Sequence, residues 1–166
     1  FTNVDAYNAS DDTLSLTVAQ ANAATNAKLT AGDTVTVADT GANIAALAAA
    51  DFTAFANVDS YDASDDALSL SVAQANAATN AKLTAGDTVT VADSGTNIAA
   101  LAAADFTAFT NVDSYDASND VVALTVAQFN AIDATGATFD ATDALNVTSA
   151  AGADLLNFNG VGGGVV

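Results

Sequence analysis

The stretch Asp33-Thr34-Val35-Thr36-Val37-Ala38-Asp39-Thr40-Gly41-Ala42-Asn43-Ile44 decides the reading of this chain, and it returns almost unchanged as Asp87–Ile98. Its first part, Asp33–Ala38, alternates polar and β-branched apolar residues, the period of a half-buried strand; Asp87–Ala92 reads the same way. Directly after it, Asp39 (and Asp93) stands as the N-cap of a helix over Thr40–Asp51, where Ile44, Leu47 and Phe52 fall at helical spacing among alanines. Asn43 and Asn97 follow as buried amides that steady the turn. A strand that runs straight into a short Ala-rich helix is one coil of an α/β repeat.

Working outward, a second coil completes the unit. Asn57-Val58-Asp59-Ser60-Tyr61-Asp62-Ala63 reads as a strand, closed by the turn Ser64-Asp65-Asp66 before Leu68-Ser69-Leu70. Thr17-Val-Ala-Gln20, Ser71-Val-Ala-Gln74 and Thr125-Val-Ala-Gln128 are capping boxes, in which hydroxyl and amide satisfy the free backbone donors of a helix start. Together the two coils span 54 residues, and the chain is written nearly three times over: 1–54, 55–108, and a degenerate capping repeat 109–160, followed by a glycine-rich tail 161–166. The first two copies differ at only seven positions, among them Ala6/Ser60, Thr17/Ser71 and Ala42/Thr96. The third gains two residues between Gln128 and Asp143 and loses its regular cap after Val147. Such self-similarity marks an elongated repeat protein whose units bury their apolar faces against neighbours.

The expected fold is therefore a single α/β solenoid domain over 1–166, with strand-plus-short-helix coils and a stacked parallel sheet. Strands stack about 4.8 Å apart whereas helix axes need about 8–10 Å, so the coils must curve, alternate their helices between faces, or shrink them. An all-β solenoid of three rungs per repeat fits the same period, and the poor helix formers of Ala21–Ala27 keep it open.

Composition narrows the function classes. Twenty aspartates face only Lys28 and Lys82, giving a formal charge of −18. That field repels nucleic acids and anionic membranes and favours cations. The longest uninterrupted apolar run, Ile44–Ala50, is too short to span a bilayer. His, Cys, Glu and Arg are absent, which removes the usual acids, bases, nucleophiles and anion clamps. The repeated aspartates recur in step with the fold rather than once in a cleft, so the chain does not read as an enzyme. Lys28 and Lys82 read as members of surface ion pairs.

One constellation carries chemistry. Asp5/Asn8/Asp11/Asp12, Asp59/Asp62/Asp65/Asp66 and Asp113/Asp116/Asn119/Asp120 return at the same phase of each copy. Short carboxylates in a tight turn can converge on Ca²⁺, which takes six to eight oxygens. A solvated turn, in which Asp and Asn bond their own backbone, accounts for the same residues. Tyr7, Tyr61 and Tyr115 share one repeat position, either packing along the repeat or forming an aromatic ladder for glycans. Thr34/Thr36 and Thr88/Thr90 resemble an ice-binding Thr-x-Thr array, interrupted by Val58-Asp59-Ser60.

Val37-Ala-Asp-Thr-Gly-Ala-Asn-Ile44 and Val91-Ala-Asp-Ser-Gly-Thr-Asn-Ile98, with the companion segment running through Ala-Leu-Ser-Leu-Ser-Val-Ala-Gln74, resemble the "DTAANI" repeats of very large exported bacterial proteins. The resemblance covers Phe1–Val147. It implies adhesin-like, surface-layer-like or RTX-like relatives, in which such repeats serve as stalks or matrix modules. The Gly-Gly-x-Gly-x-Asp calcium nonapeptide is missing, echoed only by Gly152-Ala-Asp154 and Gly162–Gly164.

The resulting expectation is a bacterial extracellular or cell-surface structural protein that assembles with itself, end to end, into a filament, surface layer or biofilm matrix fibre. A non-polymerising stalk of a calcium-dependent adhesin is the alternative, and a glycan- or ice-binding repeat face a third. Ca²⁺ is the only cofactor in view.

Overall fold

The computed structural model describes residues 4–24, 28–79, 82–148 and 164–165. Its elements follow the chain as β1 (Thr13–Leu16), α1 (Val18–Ala24), β2 (Thr34–Asp39), α2 (Gly41–Ala45), α3 (Ala49–Ala54), β3 (Ser60–Ala63), β4 (Ala67–Leu70) and α4 (Val72–Ala78). Then come β5 (Thr88–Asp93), α5 (Gly95–Ala99), α6 (Ala103–Ala108), β6 (Ser114–Ala117), β7 (Val121–Thr125), α7 (Val126–Thr135), β8 (Thr138–Phe139), β9 (Ala144–Thr148) and β10 (Gly164–Val165). This is an α/β arrangement of parallel sheets and short helices. The helices set aside the all-β alternative. Parallel strands need a crossover between them, and the helices supply it.

By its contacts the chain divides into two compact units, Phe1–Ser69 with Ala73–Thr88, and Leu70–Val72 with Val89–Val166. In the first, β1, β2 and β3 form a parallel sheet, with Thr13 opposite Thr34 and Thr36 opposite Ser60. Val35, Val37, Ile44, Phe52, Tyr61 and Leu68 form its core. In the second, β6 lies between β5 and β8, while β7, β9 and β10 make another parallel sheet. Val89, Val91, Ile98, Phe106, Tyr115, Val122, Leu124, Phe129, Ile132 and Leu145 are buried there.

The corners that lead into β1, β4 and β7 each turn on an aspartate with positive φ: Asp12 at 56°, Asp66 at 54° and Asp120 at 55°. Asp tolerates this left-handed region better than most side chains. The corner carbonyl then accepts the first N–H of a later strand, β2, β5 or β9, from Thr34 to Asp12 at 2.8 Å, Thr88 to Asp66 at 2.9 Å and Ala144 to Asp120 at 2.9 Å.

The expected single helix over Thr40–Asp51 is instead two helices, α2 of five residues and α3 of six, separated by Ala46–Ala48. The break is stable because its polar groups are met. The Asp51 carboxylate accepts the Ala48 N–H at 2.8 Å, and the Gln74 side-chain amide donates to the carbonyls of Ala45 and Leu47 at 2.8 and 2.6 Å. The N-cap is Thr40, or Ser94 in the second copy, and not Asp39 or Asp93, which still belong to the strand. Shrinking the helices is one of the three ways a helix-bearing coil can match strand spacing.

Two capping boxes form as expected: Gln20 accepts the Thr17 N–H at 2.9 Å, and Gln128 that of Thr125 at 2.8 Å. Asn43 is exposed rather than buried, its amide donating to Asp39 at 2.7 Å. Lys82 donates from Nζ to the carbonyl of Phe55, the C-cap of α3, at 3.2 Å, where a cation also meets the negative end of the helix dipole. The expected loss of the cap after Val147, together with Gly152-Ala-Asp154, lies outside the described residues.

Candidate functional site

The acidic turns are built by the αL corners, and the structure divides their carboxylates into two groups. Some are committed to backbone. Asp59 accepts the Val35 N–H and Asp113 the Val89 N–H, both at 2.8 Å, each standing in for a carbonyl of a parallel ladder. Asp65 accepts the N–H of Gly41, the first residue of α2, at 2.8 Å, and Asn119 does the same for Gly95 of α5 at 2.7 Å. A helix N-terminus favours such acceptors. Asp62, Asp66, Asp116 and Asp120 remain at the corners, the aspartates at 66 and 120 exposed. Asp5, Asp11 and Asp12 hold the same phase in the first copy and are exposed. Among the described residues, no group of three or more carboxylates stands close enough together to hold a metal ion.

Beside each turn lies a buried aspartate that the sequence reading did not single out. Asp33, Asp87 and Asp143 precede β2, β5 and β9, are at most 5% exposed, and accept the N–H of Ala9, Ala63 and Ala117 at 2.9, 2.9 and 3.1 Å. Oδ1 of Asp33 and of Asp143 is buried without a hydrogen-bond partner among the described residues. Burial raises the Asp87 carboxyl above its ordinary pKa; the Ala63 N–H opposes this, while Asp62, Asp66 and Asp65 add to it. Asp143 is raised in the same way, with Asp116, Asp140 and Asp120 as its charged neighbours. The signal was present in the sequence: an Asp immediately ahead of each β run in all three copies.

Asp39 and Asp93 hold the start of the expected helix with Oδ1, accepting from Thr40 and Asn43 or from Ser94 and Asn97, and reach a second helix with Oδ2. Oδ2 of Asp39 accepts the Val18 N–H at the start of α1 (3.0 Å), and Oδ2 of Asp93 accepts that of Val72 at the start of α4 (3.1 Å). The bonds from Asn43, Thr40 and Val18 lower the Asp39 pKa. For Asp93, burial pulls upward, but bonds from Asn97, Ser94 and Val72 prevail.

Tyr61 and Tyr115 are fully buried, edge-on to Phe52 and Phe106 at 4.8 and 5.2 Å between ring centroids. Burial raises both phenols, and neither ring has a surface on which a glycan could stack. The aromatic-ladder reading fails at these two positions.

The same positions differ sharply between copies. In the second unit the face made by Tyr115, Val122, Leu124, Gln128 and Ile132 is covered. Phe106 lies against Tyr115, α5 packs on β7, α6 packs on α7, and Gln128 Nε2 donates to the carbonyls of Ala99 and Leu101 at 2.9 and 2.6 Å. The equivalent residues of the first copy, Tyr7, Leu14, Leu16, Gln20 and Ala24, with Leu29, instead line an open, mostly apolar groove of about 280 Å³. Tyr7, Leu14 and Leu16 are half-exposed and Gln20 is exposed, whereas Tyr115, Val122 and Leu124 are at most 1% exposed.

Compared with family models, curated proteins and solved structures, the chain matches none. No described helix is long and apolar enough to cross a membrane.

Proposed function

We propose that this chain is part of a bacterial extracellular structural protein, a solenoid of strand-plus-helix coils that assembles end to end into a filament, surface layer or matrix fibre. The observation that carries the reading is the repetition of one coil-on-coil interface. Val37 lies opposite Tyr61 in the first unit and Val91 opposite Tyr115 in the second. Phe52 and Phe106 repeat the ring contact, Thr36–Ser60 and Thr90–Ser114 the hydroxyl contact at 2.9 and 2.8 Å, and Gln74 and Gln128 the amide clamp. An interface that one sequence makes repeatedly with its neighbour is available to a further copy wherever its face is open. The bacterial, exported setting rests on the resemblance to DTAANI-type repeats and on the acidic, Thr/Asn/Ser-rich surface.

Calcium belongs to this proposal as a modulator. The carboxylates around Asp87 and Asp143 repel one another, and a cation at the turns would relieve that repulsion. Negative-stain electron microscopy at high protein concentration, with and without millimolar calcium, tests both parts. Regular filaments or sheets support the structural role, and their calcium dependence supports the cation; uniform short particles in both conditions count against self-assembly.

One observation favours the non-polymerising stalk. Gly164–Val165 pairs in parallel with Ala144–Leu145 of β9, covering part of a strand edge that assembly would use. Under that reading the chain stays monomeric at every concentration.

A further inference from the structure

We infer that two copies of this chain associate by exchanging coils: the β2 coil of one chain seats on the β3 or the β6 coil of the other, through an interface that each already makes internally. The inference is independent of the end-to-end reading and needs no free end, because every contact broken within a chain is remade between two. Its ground is that the β2–β3 and β5–β6 interfaces are the same in sequence. Residues 33–64 and 87–118 differ only at Thr40/Ser94, Ala42/Thr96 and Ala56/Thr110. Thr40 and Ser94 cap α2 and α5 alike, accepting from the N–H of Asn43 and Asn97, and the other two pairs are exposed.

The contacts are the same in geometry as well. Val37 faces Tyr61 and Asp39 faces Ala63, as Val91 faces Tyr115 and Asp93 faces Ala117. The Val35 and Asp39 carbonyls accept from the N–H of Asp59 and Ser64, both at 2.8 Å; those of Val89 and Asp93 accept from Asp113 and Ser118, both at 2.9 Å. Asp65 becomes Asn119, yet each presents an Oδ1 to the first N–H of the short helix, Gly41 or Gly95. Specificity is a difference of affinities, and β2 gains the same bonds from β3 as from β6. What keeps a coil with its own neighbour is the connection, residues 40–59, which confers an effective concentration of roughly millimolar order for a short flexible linker. Chains that fold together at comparable concentration therefore trade partners, with residues 46–48, the non-helical step between α2 and α3, as the place where the connection straightens.

Thr36 and Ser60 touch through their hydroxyls at 2.9 Å, Thr90 and Ser114 at 2.8 Å, and the chain has no cysteine, which makes exchange directly testable. The single variants Thr36→Cys and Ser60→Cys, unfolded in urea, mixed at millimolar concentration and refolded together, should give the mixed covalent dimer on oxidation. Thr36→Cys refolded with Ser114→Cys should give as much. The same variants folded apart and then mixed should give only a collisional background. The double variant Thr36→Cys/Ser60→Cys, refolded dilute, should close its bridge within one chain, which calibrates the site. Independently of any thiol, the unmodified chain refolded at millimolar concentration and then diluted should retain a dimer in sedimentation velocity. A link from Thr36→Cys to Ser60→Cys but not to Ser114→Cys would overturn the equivalence of the two interfaces. A mixed dimer no more abundant after joint refolding than after mixing folded chains, or a diluted chain that is monomeric throughout, would overturn exchange while leaving end-to-end assembly standing.

Discussion

At the scale of single residues, the packing of the short helices on the strands depends on two glycines where no side chain fits. Gly41 begins α2 directly over the β3–β4 corner, and a Cβ there would lie 1.8 Å from the carbonyl oxygen of Ala67; at Gly95 the same atom would lie 1.8 Å from that of Val121. Backbone cannot yield as a flexible side chain can, so Gly41→Ala or Gly95→Ala should cost about 3 kcal/mol. A methyl group added at Gly32 would meet nothing within 4 Å, so Gly32→Ala should be nearly neutral. Urea denaturation of the three variants checks this. The buried acids give a pH signature of defined sign. Asp87 and Asp143 are raised by folding, so the folded chain takes up protons as pH falls towards the ordinary carboxyl value of 3.8, and stability grows over that interval. Asp39, Asp93 and Asp140 are lowered, so their contribution is present above 3.8 and is lost as pH falls through their folded values. Thermal melts should therefore show a midpoint that rises on mild acidification from neutrality and falls in stronger acid. Asp87→Asn should raise the neutral-pH midpoint by a few degrees and flatten the rise.

At the scale of elements, one glutamine joins its own helix to the break between two others. Gln128 caps its own helix with Oε1 and ties the α5–α6 break with Nε2. Gln128→Ala should cost about 2–3 kcal/mol, because it leaves two carbonyls unmet as well as opening the box. Gln20→Ala removes a box alone and should cost about 1 kcal/mol or less in the isolated chain; equal losses from the two changes would refute the clamp. Elements differ in how far the sequence discloses them. The strands around Val35 and Val89 and the capping boxes at Thr17 and Thr125 were legible because alternation and caps act within a few residues. The break in the Thr40–Asp51 helix was not, since the amide that satisfies it arrives from Gln74, 27 residues after Leu47. For the same reason Asp59 and Asp65 read as free ligands from the sequence, while their partners, Val35 and Gly41, lie 24 residues earlier in the chain. Exposure is likewise a tertiary property, and three tyrosines at one repeat position divide into two buried and one half-exposed.

At the scale of the whole molecule, the proposed end-to-end assembly would make a charge-dense polymer from a nearly cation-free chain. With 20 aspartates and two lysines, each proposed junction would bring like charges together, so assembly should strengthen with salt as screening shortens the Debye length to about 8 Å at physiological ionic strength. Millimolar calcium should exceed an equal ionic strength of sodium if the turns take up the ion; sedimentation velocity in matched buffers separates the two. Calcium specific to the folded chain would also raise the melting midpoint, and an unchanged midpoint with added calcium or chelator would rule the ion out as a stabiliser. The most direct test of end-to-end stacking is X-ray diffraction from aligned assemblies, because stacked coils place their strands about 4.8 Å apart along the fibre axis. A meridional reflection at that spacing is expected, together with a retained helical circular dichroism signal. A fibre without the meridional reflection, or one in which the helical signal has gone, would contradict a filament of stacked α/β coils.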